Sequence, residues 1–161
     1  MIRSYGCRFS PQGKPRHYGQ GFLHRPFKRE VREWSAVTAA CCVCRRDTFL
    51  DFEGFDEIYL NGCEDIDLCL RMSDRGFLHY VVHDSVVLHI RGGTEGRNLY
   101  NHQNEKLFFE RWQSGVCANQ SVRDQRLYAA TYLLRTLLCP WSSQCDKALE
   151  ALAIALRLKK V

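Results

Sequence analysis

The stretch Asn61-Gly62-Cys63-Glu64-Asp65-Ile66-Asp67-Leu68-Cys69-Leu70-Arg71-Met72 decides how the chain is read. Ile66, Cys69 and Leu70 share one face at helical spacing, so the run predicts an amphipathic helix. Asn61 is the expected cap. Acidic side chains crowd the first turn, where the helix dipole favours negative charge, and Gly76 stands where a C′ residue would end the helix. Asp67 and Arg71 are four apart and can pair on the same face. Glu64 and Asp65 sit together at the helix start, just past a loop. That suits a carboxylate base with a neighbour that holds an acceptor or adjusts the base's pKa. Taken alone, two carboxylates in a first turn are more often dipole partners than catalysts. The flanking sequence has to decide between the two.

Upstream, Trp34-Ser-Ala-Val-Thr-Ala-Ala-Cys-Cys-Val-Cys44 reads as a buried strand of small residues. Arg45 to Leu50 reads as one or two helical turns, closed by the loop Gly54-Phe-Asp-Glu57. Residues 1–33 are rich in Gly, Pro, Arg and His and predict loop with one or two short strands, such as Tyr5 to Phe9 before a turn at Ser10-Pro-Gln-Gly13. Downstream, Leu78 to Val82 and Val86 to Ile90 are β-branched strand candidates, and Arg91-Gly-Gly-Thr-Glu-Gly96 predicts a flexible loop. Asn98 to Gln113 has a helical pattern, and two further amphipathic helices, Arg126 to Leu138 and Gln144 to Lys159, are split at Pro140. Alternating strands and helices predict an α/β layer structure with a helical tail.

The 161 residues suit one domain, and 45% hydrophobic with 25% charged content is ordinary for a soluble globular chain. No apolar run approaches the roughly 20 residues needed to cross a bilayer, and the start has no apolar core of a secretory signal, so a cytoplasmic protein is the expectation. The net charge of +5 is uneven. Residues 1–34 hold 8 Lys/Arg against 2 Asp/Glu, residues 35–121 hold 8 against 13, and residues 122–161 hold 7 against 3. Basic ends can meet anionic headgroups or phosphates, or simply face water. Nine cysteines, an odd number set mostly in apolar stretches, predict reduced, buried thiols instead of a disulfide framework. Cys41 and Cys44 form a C-x-x-C, but a structural zinc site wants a second such pair, and Cys63 with Cys69 has the wrong spacing.

Over roughly residues 34 to 112 the chain resembles family 2 glycosyltransferases of the GT-A type. The ordered run Val37-Thr-Ala-Ala-Cys41, Arg45-Arg-Asp-Thr-Phe49, Gly54-Phe-Asp-Glu57, Glu64-Asp-Ile-Asp-Leu-Cys-Leu-Arg71, Gly76 and the strand ending in His89 carries the resemblance. It implies a partial GT-A (nucleotide-diphospho-sugar transferase-like) α/β domain with a helical C-terminal tail. The segments would be a basic linking segment over 1–33, the acceptor-side half over 34–121 and an amphipathic tail over 122–161. By that resemblance Asp65 is the catalytic base with Glu64 as its acceptor-binding partner, and Asp67 and Arg71 hold the helix against the sheet. Thr38, Ala39 and Ala40 border the donor sugar. His89 helps bind a divalent cation, Mn2+ or Mg2+, on the nucleotide diphosphate, and the Arg91–Gly96 loop folds over the donor. The implied partners are a nucleotide-sugar donor and a glycan or lipid-linked acceptor.

The departure from the family pattern is at the N-terminal side. Residues 1–36 contain no aspartate, so the metal-binding D-x-D-like motif expected before Thr38 has no counterpart. The expectation is therefore a donor-binding half missing from this chain, with a non-catalytic binding or regulatory module as the alternative. Nucleic acid is not an expected partner, because no nucleic-acid motif accompanies the basic stretch. The tail leucines Leu127, Leu134, Leu137, Leu138, Leu149, Leu152, Leu156 and Leu158 suit packing against the missing half or a partner subunit. They also suit a peripheral helix at the membrane interface.

Overall fold

A computed structural model describes residues 6–10, 12–18, 30–87, 96, 98–119, 122–138 and 140–156. In chain order its elements are β1 (Cys7–Phe9), β2 (Pro15–His17), β3 (Val31–Trp34), α1 (Arg46–Asp51), α2 (Glu64–Asp74), β4 (His79–Val82), α3 (Asn101–Asn119), α4 (Val122–Leu138), a 3-10 turn (Pro140–Ser142) and α5 (Cys145–Ala155). The described sheets are two-stranded, β1 with β2 and β3 with β4. Two compact units emerge: Met1–Arg8 with Pro15–Arg111, and Phe9–Lys14 with Trp112–Val161.

In the first unit β3 and β4 run antiparallel, with Val31 opposite Val82 and Trp34 opposite His79. Alternation puts Trp34 inward and Glu33 outward, as a half-buried strand requires. The Trp34 ring is stacked by the guanidinium of Arg8, 4.9 Å from its centroid, and by that of Arg32 at 5.0 Å. Gly6, at φ 109°, lies flat against the same ring: a Cβ there would stand 2.3 Å from Trp34 Cγ. Gly6→Ala must displace the indole and adopt an unfavourable φ. It is expected to cost about 2 kcal/mol, read as a lower urea midpoint.

α2 is the hub of this unit. Leu68 and Met72 pack on Phe52 just past α1, with Phe49 against them. The helix ends through Arg75 and Gly76, whose amides bond to the Met72 and Ser73 carbonyls; Gly76 at φ 85° takes the C′ position. The expected Asn61 cap is a correction. Asn61 is left-handed (φ 58°), and Cys63, also left-handed (φ 75°), holds the N-cap position without a side-chain cap.

β4 is tied to α2 through His79, which is buried and uses Nε2 toward the Cys69 carbonyl (2.9 Å) and Ser73 Oγ (3.0 Å). Burial lowers its pKa below the ordinary 6.5, against smaller raising effects from the Cys69 carbonyl and Glu33. A group that is harder to protonate when folded loses its stabilising contribution as pH falls through the unfolded value. Thermal stability is therefore expected to decline below about pH 6.5, the ordinary imidazole value, and more steeply than in a His79→Gln variant. Parallel slopes across that range would remove His79 as the cause.

Two strand expectations are corrected. The run from Trp34 to Cys44 is strand only at its first residue. Beyond it, Ser35 to Arg45 is an irregular strap with a turn at Ala39–Ala40. Among the described residues its amides at 37, 39 and 40 find side chains, and its Ala36 carbonyl accepts the Cys7 amide in an isolated bridge, in place of a neighbouring strand. Val86 and Val87 are exposed and outside any strand. The remainder of that candidate, with His89, and residues 91–95 of the predicted loop lie outside the described residues. Buried thiols are only part of the picture too: Cys7 and Cys69 are buried, but Cys41, Cys42, Cys44 and Cys145 are exposed.

In the second unit α4 and α5 meet over Ala129, Ala151 and Ile154, with Tyr132 and Leu133 against them. Alanine on both sides lets the helix axes approach closely. Tyr132 closes the connection by accepting the Gln144 amide on its hydroxyl at 3.1 Å, and Gln12 donates to Glu150 at 2.6 Å. Among the described residues no helix is long and apolar enough to cross a membrane.

Candidate functional site

Two opposite sides of α2 carry different chemistry, because residues two apart on a helix point nearly opposite ways and residues four apart align. Asp65 and Cys69 face the strap. Asp65 Oδ2 accepts the Ala39 amide at 3.0 Å, and Oδ1 accepts the amide of Ile66 at 2.9 Å. Cys69 Sγ accepts the Val37 amide at 3.5 Å and donates to the Val37 carbonyl at 3.6 Å. Burial pushes the Cys69 thiol up to about 11, so it keeps the proton it donates. The structure thus joins Asp65 to Ala39, and through the strap to Thr38 and Ala40, across 26 residues of sequence. Thr38 Oγ1 turns back to accept the Ala40 amide at 3.4 Å.

A carboxylate offers about four acceptor positions, so two amides leave Asp65 with capacity for a hydroxyl proton. Glu64 adds a second acceptor. It is only half-buried as a residue, yet its Oε2 is enclosed and has no hydrogen-bond partner among the described residues. An enclosed carboxylate oxygen without a donor is costly unless something arrives to fill it.

Asp67 and Arg71 face the other way and anchor the helix. Asp67 is fully enclosed and accepts from Arg71 Nε at 2.8 Å, Arg111 Nη1 at 2.9 Å and the Tyr59 hydroxyl at 3.3 Å. Arg71 also donates to the carbonyls of Phe52 and, at 2.7 Å, Gly54. Arg111 reaches Asp56 at 2.7 Å. The Ile58 amide, then Arg111, hold the Asp56 carboxyl below its usual range, and the hydrogen bonds Arg111 donates to Asp56 and Asp67 raise it further above its own. Burial, with the Asp67 charge, pushes the Tyr59 hydroxyl well up, so it stays a donor. One network fastens α1's exit, the 54–59 loop and α3 to α2.

Three parts of the site escaped sequence reasoning. Arg111 and Asn104 stand on one face of α3, seven apart, with buried Phe108 between them. Asn104 clamps Leu60 with both amide atoms, 2.7 Å to its carbonyl and 3.1 Å from its nitrogen. A buried asparagine inside an apolar helix face was the available signal. The third part is a group of thiols near Asp65. Burial first, and the Asp65 charge second, raise the Cys7 pKa; burial, then Cys44 and Asp65, raise that of Cys42. Positions 7, 42 and 69 have no spacing in the sequence that would announce this grouping. Among the described residues, no group of three or more His, Cys, Asp or Glu could hold a metal ion.

Comparison with known proteins finds partial similarity. The O-antigen biosynthesis protein RfbC of Myxococcus xanthus is 30% identical over 95 residues, covering 47% of this chain and 8% of that protein. The N-acetylglucosaminyl-diphospho-decaprenol L-rhamnosyltransferase of Mycobacterium tuberculosis is 35% identical over 66 residues, in strains CDC 1551/Oshkosh and H37Rv alike. That match covers 41% of this chain and 22% of the relative. The match therefore spans less than a quarter of the length of the curated relatives. No protein-family profile matches the chain, and no solved structure does.

Proposed function

We propose that this chain is the acceptor-side part of an inverting glycosyltransferase of family 2, GT-A type. It would act in moving a sugar from a nucleotide-sugar to a glycan or lipid-linked acceptor of the cell envelope. The observation that carries the reading is the Asp65 carboxylate, held at 3.0 Å by the Ala39 amide of the strap that the resemblance sets beside the donor sugar. The partial similarity to a rhamnosyltransferase and to an O-antigen biosynthesis protein supports the same reading.

In this mechanism Asp65 takes the proton of the acceptor hydroxyl as that oxygen attacks the anomeric carbon. The bond from that carbon to the nucleoside diphosphate breaks, the diphosphate leaves with the electron pair, and the configuration inverts. Glu64 Oε2 accepts a hydrogen bond from the acceptor and orients it. Asp67 and Arg71 touch no substrate; they keep α2, and so Asp65, in place. The described residues do not gather a cation site, so no step here passes through a metal. Mn2+ or Mg2+ remains part of the proposal through His89 and the donor-binding half.

The test uses the native polypeptide from its source, sized first by intact mass and then assayed for transfer from nucleotide-sugars to a lipid-linked diphosphate acceptor, wild type beside Asp65→Asn. A mass well above 18.8 kDa with Asp65-dependent transfer is the expected result. A native chain of 18.8 kDa that binds no nucleotide but holds a stable protein partner would replace this reading with a non-catalytic module.

A further inference from the structure

The helical unit leaves large apolar side chains uncovered on both helices: Leu149 and Leu152 along α5 with Leu156 at its C-cap, and a group at the end of α4. While α4 turns Ala129, Tyr132 and Leu133 toward α5, Leu134, Leu137 and Leu138 point away, 47%, 80% and 60% exposed. Trp141, in the 3-10 turn that follows, is 83% exposed. Leu134, Leu137 and Leu138 share one side of the last turns of α4 at i, i+3 and i+4 spacing, and Trp141 follows in the 3-10 turn beyond the helix end. Isolated exposed leucines are ordinary; four large apolar side chains gathered at one helix end, with a tryptophan among them, are not.

Charge narrows the occupant. No aspartate or glutamate occurs between Asp124 and Asp146, whereas Arg126 and Arg135 lie within that interval, and Arg157, Lys159 and Lys160 follow in the sequence. Leu137 and Trp141, at 80% and 83% exposure, reach furthest into solvent. Tryptophan, with an apolar ring and one N–H, is suited to the headgroup boundary of a bilayer.

We infer that the Leu134–Leu137–Leu138–Trp141 group is an interfacial anchor that docks the chain on a membrane surface bearing anionic lipid. The apolar tip enters the acyl boundary while the neighbouring basic side chains meet the headgroups. This inference stands on the helical unit alone and does not depend on the transfer reading.

The experiment is co-sedimentation of the native polypeptide with vesicles of phosphatidylcholine, with and without phosphatidylglycerol, at low and high salt. The chain is expected to pellet with the mixed vesicles, more weakly with phosphatidylcholine alone, and less as salt rises. Trp141→Ser and Leu137→Ser are each expected to reduce partitioning about tenfold. Both side chains are exposed, so circular dichroism should show unchanged helix content. The inference is overturned if the wild type stays in the supernatant with both vesicles, or if both variants pellet as the wild type does. It is also overturned if sedimentation velocity shows the group instead joining two copies of the chain, with both serine variants monomeric.

Discussion

Asp65→Asn, made in the native polypeptide, is expected to lower turnover by about 10²–10⁴-fold, the usual contribution of a positioned general base, with nucleotide-sugar affinity unchanged. Asparagine is nearly isosteric, and its Oδ1 can still accept the Ala39 amide that Asp65 accepts at 3.0 Å. The strap from Thr38 to Ala40 therefore keeps its support; what disappears is the ability to take a proton from the acceptor hydroxyl, together with the acceptor for the Ile66 amide, which the asparagine NH2 cannot replace. Initial rates under saturating donor, together with donor binding by calorimetry, separate the two effects. A rate loss accompanied by lost donor binding would mean Asp65 acts as a strap support. A retained rate would remove it as the base.

The helix Glu64–Asp74 was legible because its apolar residues repeat at helical spacing and Gly76 stops it where a left-handed residue must stand. The partnership of Asp67 with Arg71 was legible too, since four-residue spacing is local. Helices α4 and α5 emerged close to their expected places for the same reason. What failed was the strap. Its small apolar residues look like a buried strand, but a strand needs a neighbour, and among the described residues the amides of 37, 39 and 40 bond to side chains at 69, 65 and 38. Two of these three contacts are long-range, and they leave no periodic trace. Its consequence is the exposure of Cys41, Cys42 and Cys44, whose apolar surroundings in the sequence had suggested burial.

The cap of α2 failed for a different reason. Asn61 is a good cap by type, yet the loop turns through two left-handed residues, Asn61 and Cys63, before the helix begins. Such conformations cost about 1–2 kcal/mol each for residues with a Cβ, less for asparagine. The cost is tolerated where surrounding contacts over-determine the loop. Here Asn104 fixes Leu60 from both sides, and Asp65 itself accepts the Ile66 amide in the uncapped first turn. The candidate base is thus also a local helix support, which is why Asn is the informative replacement and Ala is not.

Asp67→Ala is expected to be the most destabilising single change in the first unit, costing about 3–5 kcal/mol. Asp67 is wholly enclosed and receives three donors, from Arg71, Arg111 and Tyr59. Its removal leaves the Tyr59 hydroxyl enclosed without its acceptor and two guanidiniums facing a vacated space, while the lost volume opens a cavity under α2. Arg71 and Arg111 keep partial access to water, at 24% and 38% side-chain exposure, which sets the lower end of that range. Arg111→Met should cost far less, because Asp67 retains Arg71 at 2.8 Å and an unbranched apolar chain can cover it. The two changes share a network, so the double variant should cost less than the two single changes added together. Urea unfolding of the three proteins reads this directly. A loss below about 1 kcal/mol for Asp67→Ala, within the range of ordinary surface changes, would show that apolar packing of Leu68 and Met72 on Phe52 holds α2 without the ionic network. Asp65 would then owe its position to the strap alone.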